Sequence, residues 1–294
     1  MSKKLSIYLV NHSYFDTMNR DVMLLMRQLV FVDSDGTLKN SKGEITDNTK
    51  RVVKELIDKD IQVIITTGRP RYHALKVKTN SCASKYLISS NGAEVYDTDQ
   101  NKIIYSRYMT PASVIDIASI ANKYNCRCAF TVEDVEYVQD EAKNVHQVLL
   151  KSELEKFLLD HYVKQIFIRG DSEVDINNAY MDIIKLNDTK IVNESSYFHD
   201  GIVEQKGLWF SVGHKDVNKG MAIVELCRYL NVGLEHTYGF GNDYNDIDMF
   251  SVVNHSIIME NANEDLKKYA TIITESNDEE GVAILLENLF LKEE

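Results

Sequence analysis

The sequence predicts an α/β protein: an open, mostly parallel sheet assembled from two separated stretches of chain, with an α+β domain inserted between them. Three observations carry this expectation. Short β-branched runs alternate with amphipathic helical segments over residues 29–94 and again over 213–294. The stretch between, 95–212, breaks that alternation and mixes strands and helices differently. Polar, glycine-containing segments follow four of the β-branched runs directly, at the carboxyl ends where open parallel sheets bind their ligands.

Along the chain, residues 1–28 form an N-terminal extension in which Ser6–Val10 reads as a strand and Thr17–Gln28 as a helix. Nothing in them suggests chemistry. Either translation naturally starts near Met26 or the segment is an addition that packs on the core. Leu29–Val32 is a buried strand. After a polar loop, Lys39–Glu44, a helix starts with Thr46 or Asp47 as cap and carries Val52, Val53, Leu56 and Ile57 on one face. Ile61–Thr66 is rich in β-branched residues, so the two strands and the helix between them form a βαβ unit, with parallel strands and a right-handed crossover. The pattern continues with a helix near Tyr72–Lys78 and a strand at Tyr86–Ser89. It resumes with helix Asn218–Leu230, strand Thr237–Phe240, helix Asp246–Val252 and strand Ser256–Met259. A helix near Glu264–Tyr269, strand Thr271–Ile273 and helix Glu280–Leu291 complete a Rossmann-like core.

The inserted part offers strands Ile103–Tyr108, Ala129–Thr131 and Gln165–Arg169, with helices at Ala112–Tyr124, Ser152–Tyr162 and around Asn177–Leu186. Leu208–Val212 is the strand that leads back to the core.

Composition narrows the classes. Apolar content of 44% with 27% charged residues is ordinary for a soluble globular chain of 294 residues. A net charge of −12, spread along the sequence, argues against a nucleic-acid or anionic-membrane surface. No apolar run reaches the ~18–20 residues of a membrane span, and Asn11, His12, Asp16 and Arg20 interrupt anything resembling a signal peptide. Cys82 and Cys227 stand alone, and Cys126-x-Cys128 lacks the second pair a zinc site needs. Reduced thiols in the cytoplasm are the expectation. The sequence leaves the oligomeric state open.

The polar segments are Asp33-Ser34-Asp35-Gly36, Thr67-Gly68-Arg69, Asn91-Gly92 and Gly241-Asn242-Asp243-Tyr244-Asn245-Asp246. A buried strand running straight into Asp-x-Asp needs a cation at its end, and a divalent metal is the simplest one. Glu44 is the twelfth position counted from Asp33, as in a calcium loop, but Lys39, Asn40, Ser41 and Lys42 do not supply the alternating ligands.

Asp33-Ser34-Asp35-Gly36-Thr37-Leu38 resembles the D-x-D-G-T-L signature of the haloacid dehalogenase superfamily. Thr67-Gly68-Arg69 is similar to its second motif, Asn91-Gly92-Ala93 to the turn before the cap, Lys219-Gly220 to the third motif and Gly241–Asp246 to the fourth. With an insertion between the second and third motifs, the chain looks like the Cof-type branch with its large α/β cap. That resemblance implies a Mg²⁺-dependent phosphatase acting on a small phosphorylated metabolite. Asp33 would be the nucleophile forming an aspartyl-phosphate and Asp35 the general acid and base. The two side chains would face one phosphorus if the segment is extended. Thr67 and Lys219 would bind phosphoryl oxygens. Gly68, Arg69, Asn91, Gly92 and Asn245 would contact substrate. Asp33, Asp35, Asn242, Asp243 and Asp246 would form the metal site.

One position departs from the branch's G-D-x-x-N-D: Asn242 stands where the first aspartate, a metal ligand, is usual. Asp243 would then shift into the ligand position or act through water. Arg69, Arg169 and Lys206 are cations available to an anionic or polyol substrate. A phosphotransferase or mutase using the same intermediate, and a binding protein that has lost metal chemistry through Asn242, are the alternatives.

Overall fold

The computed structural model describes residues 27–133, 135–138, 147–148, 153–194 and 208–292. The expectations for Ser6–Val10, for Thr17 to Met26, for Ser152 and for Lys206 fall outside these residues. Two compact units divide the chain: one from the described parts of 1–67, 73–105 and 218–294, the other from those of 68–72 and 106–217.

The first unit starts at β1 (Leu29–Val32) and continues through α1 (Asp47–Asp58), β2 (Gln62–Thr66), α2 (Arg71–Ser81) and β3 (Tyr86–Ser89). Thr46 is the cap of α1, its side chain accepting from the Thr49 N–H. β1 is buried on both faces: Val30 and Val32 join one hydrophobic cluster and Leu29 and Phe31 another. This double burial is why the strand reads as a continuous apolar run. β3 then turns through Ser90–Gly92 into β4 (Glu94–Asp97), antiparallel to it, and β5 (Lys102–Ser106) follows at the sheet edge. The strand expected at Ile103–Tyr108 in the inserted domain is therefore the edge strand of the core sheet. Its two-sided, half-exposed residues give no periodicity by which sequence could choose a sheet.

The second unit contains α3 (Pro111–Lys123), β6 (Arg127–Val132), β7 (Val135–Val138), β8 (Gln147–Val148), α4 (Leu154–Phe157), β9 (Val163–Gly170), α5 (Glu173–Ile183), β10 (Thr189–Glu194) and β11 (Leu208–His214). Its sheet runs β10-β11-β9-β6-β7-β8. Val114, Ile117, Ile176 and Ile183 of the helices pack on Phe130, Ile166, Ile168 and Phe210 of the strands. Leu208–His214 is thus a strand between β10 and β9. The helix expected over Ser152–Tyr162 covers only Leu154–Phe157 among the described residues. The His161 ring stacks on Phe157 and its Nδ1 lies 3.0 Å from the Phe157 carbonyl, which closes the helix end. α5 starts one turn earlier than expected because Ser172 caps it, accepting from the Asp175 N–H.

Back in the first unit come α6 (Lys219–Leu230), β12 (Thr237–Gly241), α7 (Ile247–Phe250), β13 (His255–Met259), β14 (Ile272–Thr274) and α8 (Gly281–Phe290). The eight-stranded order is β14-β13-β12-β1-β2-β3-β4-β5, parallel from β14 to β3. Residues of α1, α2 and α8 cover one face of the sheet, and residues of α6 and α7 the other. This is the Rossmann-like core expected from the alternation. Among the described residues no helix is long and apolar enough to cross a membrane. The described cysteines are free; Cys126, Cys128 and Cys227 are buried, whereas Cys82 is exposed.

Candidate active site

Asp33 is the first residue past β1. Its N–H donates to the Phe240 carbonyl at 2.9 Å, so the β1–β12 ladder fixes its place. The chain then turns instead of continuing extended: Leu38 N–H donates to Asp33 O at 3.2 Å and Lys39 N–H to Ser34 O at 2.9 Å. Asp35 N–H donates to Asp33 Oδ2 at 3.0 Å. The Asp35 carboxylate is held on one oxygen by Ser34 Oγ, at 2.8 Å, and on the other by Lys39 Nζ, at 3.4 Å. The two aspartates meet through this turn and not through strand alternation. In the same segment, Asn40 Oδ1 accepts from the Lys42 and Glu44 N–H groups, so this loop is closed on itself and is no calcium cage.

Lys219 opens α6, which Asn218 caps by accepting from the Met221 N–H at 2.7 Å. The Lys219 ammonium is fully buried and lies 2.6 Å from both Asp33 Oδ1 and Asp246 Oδ1. Asp246 uses its second oxygen to accept the N–H groups of Asn242, at 3.0 Å, and Asp243, at 3.1 Å. Burial pulls the Lys219 pKa down, but the charges of Asp246 and Asp33 outweigh it and hold the ammonium above its ordinary value. Burial is also the largest influence on Asp33. It pushes that carboxyl up to about 7, against the pull of Lys219 and with the help of Asp246.

The fourth segment splits in two. Asn242 faces the first: its Oδ1 accepts from Thr37 Oγ1 at 2.8 Å. It lies so close to Gly36 that a Cβ there would come within 2.5 Å of Asn242 Nδ2. Asp243 is exposed and its side chain accepts from the Tyr244 N–H, capping the turn Tyr244–Asp246. Thr67 is fixed by its N–H to Ile88 O and by the Asn91 N–H to its own carbonyl, and its Oγ1 lies 2.8 Å from Ser34 Oγ. Asn245 Nδ2 donates to Asn91 Oδ1 at 2.9 Å. Gly92 abuts the Asn218 carbonyl.

Asp33, Asp35, Thr67, Asn91, Gly92, Lys219, Asn242, Asn245 and Asp246 therefore gather at one rim of the first unit. Gly68 and Arg69 belong to the segment 68–72, which packs as part of the second unit. Arg169 is exposed on β9. Two asparagines unnoticed in the sequence latch the first loop. Asn261 Nδ2 donates to Gly36 O at 2.9 Å, its Oδ1 accepts from the Asn277 N–H, and Asn277 Nδ2 donates to Lys39 O. Their one sequence signal is position, just behind β13 and β14.

Among the described residues, no three His, Cys, Asp or Glu side chains converge as a metal cage. Asp33, Asp35, whose N–H donates to Asp33, and Asn242, whose amide oxygen accepts from Thr37 of the same loop, offer oxygen donors. Hard oxygens of this sort suit Mg²⁺. Charge points the same way, since Asp33 and Asp246 share the single buried ammonium of Lys219.

Carboxylates and a buried lysine gather at the carboxyl ends of parallel strands, in a core interrupted by an α+β insertion, the arrangement of an α/β enzyme. Residues 30–286 match the haloacid dehalogenase-like hydrolase family, and the chain belongs to it. It is 26% identical over 258 residues to the 5-amino-6-(5-phospho-D-ribitylamino)uracil phosphatase of Bacillus subtilis, covering 87% of this chain and 93% of that one. A haloacid dehalogenase-like hydrolase from Bacteroides thetaiotaomicron superposes with a TM-score of 0.72 at 21% identity, covering 90% of this chain and all of the other. A subclass IIB sugar phosphatase of the same superfamily superposes with a TM-score of 0.71 at 22% identity, covering 89% of this chain and 98% of that one. The Cof-type resemblance read from the motifs stands.

Proposed function

We propose that the chain is a cytoplasmic Mg²⁺-dependent phosphatase that hydrolyses a small phosphomonoester, a sugar phosphate or phosphorylated cofactor, through an aspartyl-phosphate. The observation that carries this reading is the buried Asp33–Lys219–Asp246 array at the end of β1, with Thr67 and Asp35 beside it. Asp33 attacks phosphorus, and Lys219 pulls that carboxyl toward its ionised form and later shares the phosphoryl charge. Asp35 gives a proton to the departing alcohol and takes one from the attacking water. Thr67 binds a phosphoryl oxygen. Asp33, the Asp35 carbonyl and Asn242 hold Mg²⁺, which when bound offsets the negative charge that substrate brings to an already acidic pocket. Asp246 acts by fixing Lys219 and the Asn242–Asp243 backbone, and Asp243 by capping. The relatives named as phosphatases support the substrate class.

The test is phosphate release from a panel of sugar phosphates and phosphorylated cofactors across a Mg²⁺ titration, with Asp33→Asn as the blank. Metal-dependent release that disappears in the blank is the expected result. No release from any substrate at any metal concentration sinks the reading in favour of a binding role, and release only to an added acceptor alcohol favours a phosphotransferase. Asn242→Asp adds a formal charge while keeping an acceptor for Thr37, so the Mg²⁺ concentration for half-maximal rate is expected to fall roughly tenfold. An unchanged or higher requirement would remove Asn242 from the metal site.

A further inference from the structure

The two aspartates of the first segment are placed by different means. Asp33 is fixed by the β1–β12 ladder, through its N–H to the Phe240 carbonyl. Asp35 stands beyond the strand end, in the turn that the Leu38 N–H closes on Asp33 O. Such a closure sets the shape of the turn, whereas its placement on the sheet comes from contacts beyond it. Leu38 is buried in the core, and three hydrogen bonds arrive from the residues that follow β13 and β14. Asn261 Nδ2 donates to Gly36 O at 2.9 Å, Asn277 Nδ2 donates to Lys39 O at 2.8 Å, and the Ser41 N–H donates to Asp278 Oδ1 at 2.7 Å.

The first two of these bonds close on Asp35. Gly36 is its neighbour in the chain, and the Lys39 ammonium lies 3.4 Å from Asp35 Oδ1. They are also coupled, because Asn261 Oδ1 accepts from the Asn277 N–H at 3.0 Å. Asn261 is exposed and Asn277 half-buried, so packing accounts for neither side chain. Each gives its amide N–H to a main-chain carbonyl of the turn. The base of this latch is the sheet itself, since β14 pairs with β13, β13 with β12 and β12 with β1.

We propose that Asn261 and Asn277 are positioning residues for proton transfer: they hold the turn so that Asp35 meets the leaving oxygen, while Asp33 keeps its place without them. This inference rests on the phosphatase reading, in which Asp35 is the acid and base. As the bond from Asp33 to phosphorus forms, the bond from phosphorus to the leaving oxygen breaks, and a proton passes from Asp35 to that oxygen. An alkyl alcohol needs the proton, so Asp35 has to reach it. p-Nitrophenolate is a stable anion at neutral pH and departs without one. Loosening the turn therefore slows transfer from an alkyl phosphate and spares p-nitrophenyl phosphate.

The ratio of kcat/KM for the two kinds of substrate is a readout that a merely structural role would not move, because a damaged fold slows both alike. Asn261→Ala removes both bonds of that side chain. Asn261→Asp keeps an acceptor for the Asn277 N–H but sets a carboxylate oxygen against the Gly36 carbonyl. Asn277→Ala loses the Lys39 tie and keeps its own N–H for Asn261. The experiment measures kcat/KM of the Mg²⁺-loaded full chain and each variant on p-nitrophenyl phosphate and on the alkyl phosphomonoester of the panel that the parent hydrolyses fastest. On the alkyl substrate a fall of about tenfold is expected for both Asn261 variants and about threefold for Asn277→Ala, with all three within about twofold of the parent on p-nitrophenyl phosphate. If Asn261→Ala does not fold, the other two variants carry the test. Equal falls on both substrates, or an unchanged rate on the alkyl one, overturn the positioning role while a turning-over parent keeps the phosphatase reading. A parent that hydrolyses no alkyl phosphomonoester overturns both.

Discussion

Lys219→Met is expected to reduce turnover by at least about a thousandfold and to destabilise the fold by about 3–5 kcal/mol, the usual consequence of stripping one partner from a buried ion cluster. The lysine is fully enclosed and its ammonium bridges two carboxylates at 2.6 Å each. Methionine matches its length but leaves Asp33 and Asp246 facing each other in a desolvated space. Buried carboxylates without a counter-charge take up a proton, and a protonated Asp33 is no nucleophile. The damage spreads through Asp246, whose other oxygen holds the Asn242 and Asp243 N–H groups. A second variant separates charge from packing: Asp246→Asn added to Lys219→Met removes the surplus carboxylate, so it should recover part of the stability and none of the rate. Urea unfolding of both variants, with kcat measured on the same preparations, gives the comparison. A Lys219→Met protein as stable as its parent would show that the ion cluster contributes nothing to folding. Retained turnover would remove Lys219 from the chemistry.

The core was legible because its strands are buried on both faces. Leu29–Val32 announces itself as an unbroken apolar run and Val63 to Thr66 as a β-branched one, and a strand's carboxyl end is a defined place once the strand is known. That is why Asp33, Thr67, Asn91 and Asp246 could be expected to share a rim. β7, β8 and β10 were missed because they are short or mixed in polarity, as in Thr189–Glu194, where the pairing slips between Ile191 and Asn193. Ion pairing was harder to foresee than location. The family resemblance makes Asp246 a metal ligand, and in the structure its oxygens accept from Lys219 and from two backbone N–H groups. Asp243 reads as the substitute for the aspartate that Asn242 replaces, and its side chain accepts from the Tyr244 N–H as a cap. Carboxylates at one rim divide their roles by which donors lie within 3 Å, and those donors come from α6 and from the turn itself. Ser34, Asn261 and Asn277 were invisible for the same reason, since a single polar residue in a loop has no periodicity to betray what it touches.

Gly92→Ala is expected to cost about 2–4 kcal/mol, the sum of backbone strain and a steric clash. The turn after β3 holds Ser90, Asn91 and Gly92 all at positive φ, with Gly92 at +94°. A Cβ on Gly92 would sit 2.1 Å from the Asn218 carbonyl oxygen and 3.0 Å from the Lys219 nitrogen, which is backbone that cannot swing aside. Relief comes only by moving the start of α6 by an amount on the order of 1 Å, and a displacement of that size at a reacting group can cost about 10²-fold in rate. Gly43→Ala provides the matched control. It too has positive φ, +79°, but nothing lies within 4 Å of its added Cβ, so it should lose only the strain of about 1 kcal/mol and keep its rate. Urea midpoints and kcat for the two alanine variants decide the matter. Equal losses of stability would mean that strain alone is at work and that Gly92 does not set the position of α6. A Gly92→Ala variant that is destabilised yet fully active would mean that Lys219 reaches Asp33 whatever the placement of its helix.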